Sequence, residues 1–139
     1  MTMRADTQTV TISASPDEVF AFLAEPSNLP RWAVGFARAV RRDNDEWIVQ
    51  TAQGEMPVRF AVDAGRGIID FHMTVAPGVE SVAYSRVVPN DSGAEYIFTQ
   101  FQSPGMPDEV FAAQCAALAE ELAILPILFR AHAVCPVGR

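Results

Sequence analysis

Residues able to do acid, base or nucleophilic chemistry are sparse in this chain: there are two histidines, His72 and His132, and two cysteines, Cys115 and Cys135. A cysteine nucleophile needs a neighbouring base, which the sequence does not supply. Neither histidine stands at metal-ligand spacing to another ligand-type residue, so no metal is expected. Two cysteines make no disulfide framework; Cys115 reads as a buried thiol on the apolar stripe of a helix, and Cys135 lies in the tail beside Pro136. The densest polar set is Asp70, His72, Tyr84, Arg86 and Glu95, which would look like an active site inside a pocket and like a solvated sheet face outside one. No catalytic residue and no cofactor are assigned.

The elements that must position any site are bounded by turn chemistry at Asp43-Asn44-Asp45, Gln53-Gly54-Glu55, Asp63-Ala64-Gly65-Arg66, Ala76-Pro77-Gly78 and Pro89-Asn90-Asp91-Ser92-Gly93. Strands are predicted over 7–13, 34–42, 46–52, 56–62, 67–75, 79–88 and 93–102. Side chains alternate across a sheet, so closing each hairpin fixes the faces. Pairing 42 with 46, 52 with 56, 62 with 67, 75 with 79 and 88 with 93 places Phe36, Val40, Ile48, Val58, Phe60, Val62, Ile69, Phe71, Met73, Ala83, Val87, Tyr96 and Phe98 on one apolar face. On the other face these registers set Arg59 across from Asp70 and Arg86 across from Glu95, with Arg41, Trp47, His72 and Tyr84 beside them.

Ser15-Pro16-Asp17-Glu18 is a helix start: a capping hydroxyl, proline at the first helical position, and a carboxylate placed to reach back to Ser15. From Pro107 onward, Phe111, Cys115, Leu118, Leu122, Leu125 and Phe129 recur at spacings of four and three, one apolar seam on a helix of about 24 residues and about 36 Å. Glu109, Glu120 and Glu121 fall mainly off that seam. Pro126 predicts a kink or an early end, with the segment 127–131 either a moving gate or simply the bent end of a covering helix.

The chain has 139 residues, a length suited to one domain with a real core, and half of them are hydrophobic. Its net charge of −7 argues against nucleic acid and anionic membrane surfaces as partners. The N-terminus lacks an apolar signal core and the longest apolar stretch, Leu122 to Phe129, contains Pro126, so no membrane insertion and a cytoplasmic location are expected. The oligomeric state is open, a homodimer among the options.

With this order of elements, the segments Val10-Thr11-Ile12-Ser13-Ala14-Ser15-Pro16-Asp17-Glu18-Val19-Phe20 and Pro26-Ser27-Asn28-Leu29-Pro30-Arg31-Trp32, and the hairpin from Arg86 to Gly93, resemble the SRPBCC superfamily of START-like, polyketide cyclase-like helix-grip proteins. The resemblance runs from about Thr7 to Arg130. It implies an α+β fold in which a curved seven-stranded antiparallel sheet wraps a C-terminal helix, two short helices follow the first strand, and an apolar cavity lies between. Members bind lipids, sterols, polyketides, quinones or plant hormones, and a minority catalyse cyclisation or dehydration. They share no universal catalytic residue, and the metal ligands of the ring-hydroxylating oxygenase subgroup are missing here.

The expected ligand wall comprises Trp32, Phe36, Phe60, Phe71, Phe98 and Phe111, with Cys115, Leu118 and Leu122 from the helical seam. Polar handles are nominated at Arg38, Gln50, Ser85, Tyr96 and Gln100 on strands and at Gln114 on the flank of the helix, Arg38 leading for an anionic or carbonyl group. Three functions stay open: a binder or carrier of a small hydrophobic molecule; a cyclase or dehydratase that polarises a carbonyl with Tyr96 or Arg38; and a protein-interaction or stress-related module whose interior is filled by its own side chains.

Overall fold

Hairpin after hairpin, the chain builds one antiparallel sheet in the spatial order β1-β7-β6-β5-β4-β3-β2. The strands are β1 (Ala5–Ile12), β2 (Ala39–Asp43), β3 (Glu46–Thr51), β4 (Gly54–Asp63), β5 (Ile68–Ala76), β6 (Val79–Asn90) and β7 (Gly93–Phe101). Between β1 and β2 come α1 (Pro16–Ala24), a 3-10 turn (Pro26–Asn28) and α2 (Leu29–Trp32); α3 (Asp108–Val134) closes the chain. The computed structural model describes the backbone to Val134 and side chains to Arg130. The His132 side chain and the tail with Cys135 lie outside the described residues.

Ser15 caps α1 as expected, its hydroxyl oxygen accepting the Glu18 N–H at 3.2 Å. The return contact differs from a full capping box: the Ser15 hydroxyl donates to the Glu18 carboxylate at 3.1 Å. The segment 34–38 is not strand. After α2 the chain makes one more tight turn, Phe36 and Ala37 both donating to the Ala33 carbonyl, and pairing resumes only where the Arg38 N–H meets the Gln50 carbonyl at 2.8 Å.

Turn length decides the register. β4 with β5 and β6 with β7 are each offset by two positions from the expected pairing, which preserves the faces and changes the partners. Arg59 therefore sits across from His72 rather than Asp70, and Arg86 across from Ile97 rather than Glu95. The two turns around β3 are two-residue turns, Asn44-Asp45 with Asn44 at φ 57° and Ala52-Gln53, where three-residue turns were expected. Each shift by an odd number inverts a face, and the two cancel, so β3 alone is flipped. Val49 and Thr51 are buried on the concave side with Val40 and Met56, whereas Ile48 and Gln50 belong to the outer side.

The concave side carries the core: Ile12, Val49, Val58, Ile69, Phe71, Ala83, Val87 and Tyr96 from the sheet meet Val19, Leu23, Leu29, Trp32, Leu118, Leu122, Leu125 and Phe129 from the helices. α3 packs mainly on β1 and on α2. Its Asp108–Arg130 stretch, with mean hydropathy 1.6, is long and apolar enough to cross a membrane by length and composition; here the apolar seam lies on the sheet. The helix continues through Pro126, so no early end occurs. Leu122, Leu125 and Phe129 are buried around the proline, and that burial offsets the lost backbone donor.

The β4–β5 turn depends on one glycine. Gly67 has φ 70°, and its carbonyl accepts the Val87 N–H at 2.8 Å. A Cβ there would lie 2.2 Å from the Val87 carbonyl oxygen. Gly67→Ala is expected to cost more than about 1 kcal/mol in urea denaturation, through both the clash and the left-handed backbone. An unchanged midpoint would contradict this account of the turn.

Candidate functional site

An unbroken series of aromatic rings crosses the concave face. Phe60 packs edge-on to Phe71 at 5.0 Å between centroids, Phe71 lies 5.7 Å from Phe98, Phe98 is 6.2 Å from Tyr96, and Tyr96 meets Trp32 at 6.0 Å. The register explains the series: Phe60, Phe71 and Ala83 are lateral partners, Ser85 pairs with Phe98, and Val87 pairs with Tyr96. Trp32 reaches in from α2. At this end the series is sealed, Trp32 being 2 % and Tyr96 0 % exposed. Elsewhere Met56, Phe60, Met73 and Phe98 are only partly buried although they face the concave side, as is Phe36 in the loop before β2.

Beneath the rings the polar groups are paired. The Tyr96 hydroxyl donates to Ser85 Oγ at 3.0 Å, and Ser85 donates to the Ile69 carbonyl. Burial holds the Tyr96 phenol well above its ordinary value. At the other end of β1 and β7, Asp6 and Gln8 share the concave face with Gln100 and Phe98. Asp6 Oδ2 accepts from Gln8 Nε2 at 2.8 Å and Gln100 Nε2 at 3.2 Å, while Gln8 also donates to the Cys115 carbonyl at 2.9 Å. Partial burial pushes the Asp6 carboxyl up, and these hydrogen bonds outweigh it and hold the group below its usual range. The Cys115 thiol is raised, first by burial and then by Asp6, so it is a poor nucleophile at neutral pH.

The expected site residues separate into three groups. Trp32, Phe71, Ser85, Tyr96, Leu118 and Leu122 are buried in the interior; Phe111 is buried too, beneath the Arg4 guanidinium at 5.1 Å. Phe36, Phe60, Phe98, Gln100 and Cys115 are partly buried. Arg38, Gln50 and Gln114 are exposed, which corrects their nomination as interior handles: Arg38 precedes β2 instead of lying within a strand, Gln50 went out with the flip of β3, and Gln114 stands on the solvent side of α3. The Asp70, His72, Tyr84, Arg86 and Glu95 set lies on the outer face. There His72 Nδ1 is 3.1 Å from Glu80, Arg59 is 4.0 Å from Glu80, and Glu95 accepts from Thr9, Thr11 and Asn90.

Sequence reasoning missed Glu121. Its side chain is buried on α3, and Oε2 accepts the Gly35 N–H at 2.9 Å. Burial pushes its carboxyl up to about 7 against the opposing pull of the Gly35 and Phe36 N–H groups, with Glu120 adding like charge. The available signal was positional, since residue 121 is three after Leu118 and four before Leu125.

Among the described residues, clefts open to solvent at two places lined by residues outside the aromatic series. One of 310 Å³ lies between Thr11–Ala14 and Asn90–Gly93, and one of 140 Å³ between Ala39–Arg41, Ile48, Gln50 and Glu55.

A curved antiparallel sheet gripping one long C-terminal helix defines a helix-grip protein of the SRPBCC superfamily. The chain belongs to the family described as polyketide cyclase / dehydrase and lipid transport, whose model matches residues 3–123. No curated protein matches it. Among solved structures it is similar to the protein XoxI from Bacillus cereus, at 16 % identity and TM-score 0.76 over 91 % of this chain and 96 % of that one. It is also similar to the Zhui aromatase/cyclase from a Streptomyces species, at 18 % identity and TM-score 0.71 over 93 % and 94 % of the two chains. The Aha1 dimer from Colwellia psychrerythraea is similar at 11 % identity and TM-score 0.68, over 88 % and 94 %.

The Glu121 carboxyl gives the stability a distinctive pH dependence. Its folded-state value lies above the ordinary 4.5, so the protonated form favours folding. That stability is fully present below about 4.5 and is lost as pH rises through about 7. The difference in stability between the native chain and Glu121→Gln, measured by urea denaturation, is expected to change by on the order of 1–2 kcal/mol between pH 4.5 and 8 after allowance for solvent screening. A pH-independent difference would contradict this placement of Glu121.

Proposed function

We propose that the chain binds a small hydrophobic molecule, of lipid, polyketide or aromatic type, between the concave sheet and α3, and carries it rather than transforms it. The observation that supports this most is the partial burial of Phe60, Met73 and Phe98 on the concave face, with Phe36 packed against the core from the loop after α2. Apolar surface left accessible gains about 25 cal/mol for each Å² that a ligand removes from water. Ser85, Tyr96 and Gln100 are the polar handles retained from the sequence reading, and Asp6 and Gln8 join them. The family description and an acidic chain suit a cytoplasmic carrier of an uncharged ligand, in which Cys115 is a free thiol.

A cyclase or dehydratase acting on a polyketide-like substrate is the second reading, favoured by Glu121 and by the likeness to the Zhui aromatase/cyclase. A carboxyl group titrating near neutrality is suited to exchange a proton with a carbon beside a carbonyl. Under this reading the rate follows the Glu121 titration and collapses in Glu121→Gln; turnover unchanged in that variant excludes the role.

The carrier reading is tested by titration with N-phenyl-1-naphthylamine, a neutral fluorophore that brightens in apolar surroundings. Saturable binding is expected, weakened about tenfold in Phe98→Ala through lost buried area and unchanged in Arg38→Ala and Gln50→Ala. Absence of saturable binding, with the fold intact, would overturn the carrier reading and favour a module whose interior is filled by its own side chains.

A further inference from the structure

α3 lies towards the β1 side of the sheet, and the space between it and the β2 edge is bridged by α2 and the loop that follows. That loop is anchored at intervals. Trp32, Ala33 and Ala37 are 2–3 % exposed, while Val34 between them is 52 % exposed and Phe36 is partly buried against the core. Its fastening to α3 is the Gly35 N–H donated to Glu121 Oε2 at 2.9 Å; the neighbouring Phe36 N–H donates to the Ala33 carbonyl at 3.0 Å and adds a favourable dipole beside the carboxyl group. Gly35 permits this approach: a Cβ at that position would stand 3.1 Å from Glu121 Oε2 and 3.6 Å from the Ala117 Cβ.

We propose that the loop 33–38 is a movable cover over the aromatic interior and that the Glu121 carboxyl group is a proton-controlled clasp holding it to α3. The inference rests on the ligand-binding reading for its purpose, though the clasp itself is a property of the empty protein. Glu121 is a positioning residue here, acting on the ligand through the cover. With the cover closed, the carboxyl group is desolvated; with it open, water reaches the group. Charge therefore favours the open arrangement and protonation the closed one. The Gly35 donor, with the Phe36 N–H beside it, reduces this preference without reversing it, because the net displacement of the group is still upward.

The charged groups around the clasp are few. Glu120, on the same helix, opposes ionisation. On the cover side Arg31 stacks on Phe22 at 5.0 Å and reaches Asn28 at 3.5 Å, and Arg38 at the far end is exposed. Among the described residues no cation lies within 4.0 Å of Glu121 to hold its charge in place.

Amide hydrogen exchange by NMR tests the clasp directly, with rates corrected for the intrinsic effect of pH and strand amides such as Val49 and Tyr96 as internal controls. Protection of Gly35 and Phe36 is expected to fall at least fivefold between pH 6 and pH 8 while the controls hold, and to become independent of pH in Glu121→Gln. Gly35→Ala, which crowds the carboxylate while leaving its charge, is expected to lower protection at both pH values. Constant protection in the native chain, or the same pH dependence in Glu121→Gln, would overturn the clasp. A parallel stopped-flow arm measures N-phenyl-1-naphthylamine association, expected to be faster at pH 8 than at pH 6 in the native chain only. If the amides titrate but the fluorophore never binds, the clasp stands and the ligand reading fails. If the fluorophore binds and the amides do not titrate, the ligand reading stands and the clasp fails.

Discussion

The rest of this molecule depends on how one long helix seats against a curved sheet. α3 commits its seam of Leu118, Leu122 and Leu125 to the core and packs mainly on β1 and α2. The middle strands are packed less closely on α3 than β1 is, and large side chains fill the concave face there. Phe60, Phe71, Phe98 and Tyr96 do so from the sheet, with Trp32 closing one end. Phe60 and Phe98 stay only partly buried on that face, and this accessible apolar surface is what supports the proposal of small-molecule binding.

The polar chemistry of the interior follows from the same constraint. Burying a hydroxyl or carboxyl group without a partner costs kilocalories. Tyr96 and Ser85 are paired down to the Ile69 carbonyl, and among the described residues no buried side-chain nitrogen or oxygen lacks a partner. Such a network fixes the shape of the wall and offers no strong acid or base. Glu121 differs, because its hydrogen-bond partner is the Gly35 N–H of a loop rather than a cation. Among the described residues it is thus the one buried carboxyl group, and its ionisation works against its own burial.

Much of the architecture was legible in the sequence because its signals are local. Turn residues marked the hairpins, Ser15 and Pro16 marked α1, and the four-three spacing marked α3. Even with partners shifted by two along β4–β5 and β6–β7, the inward assignment of Phe60, Phe71, Tyr96 and Phe98 survived, since period-two alternation is insensitive to an even shift. The flip of β3 was not legible: a two-residue and a three-residue turn have similar composition at Asn44-Asp45 and Ala52-Gln53, yet differ by one face, and Gln50 was misplaced on that account. Asp6 and Gln8 escaped notice because β1 meets β7 across some ninety residues of chain, a pairing that no local pattern encodes. Glu121 was placed off the apolar seam and its burial went unread, because helical periodicity does not know that the loop at Gly35 covers that flank.

The central claim is that the partly covered aromatic face takes one small apolar molecule per chain. Native mass spectrometry of freshly purified protein, followed by denaturing extraction, reads this without presuming the ligand's identity. The account predicts a discrete added mass at near one-to-one occupancy that is released on denaturation and reduced in Phe98→Ala. A bare chain mass that stays bare after incubation with saturating N-phenyl-1-naphthylamine would contradict it.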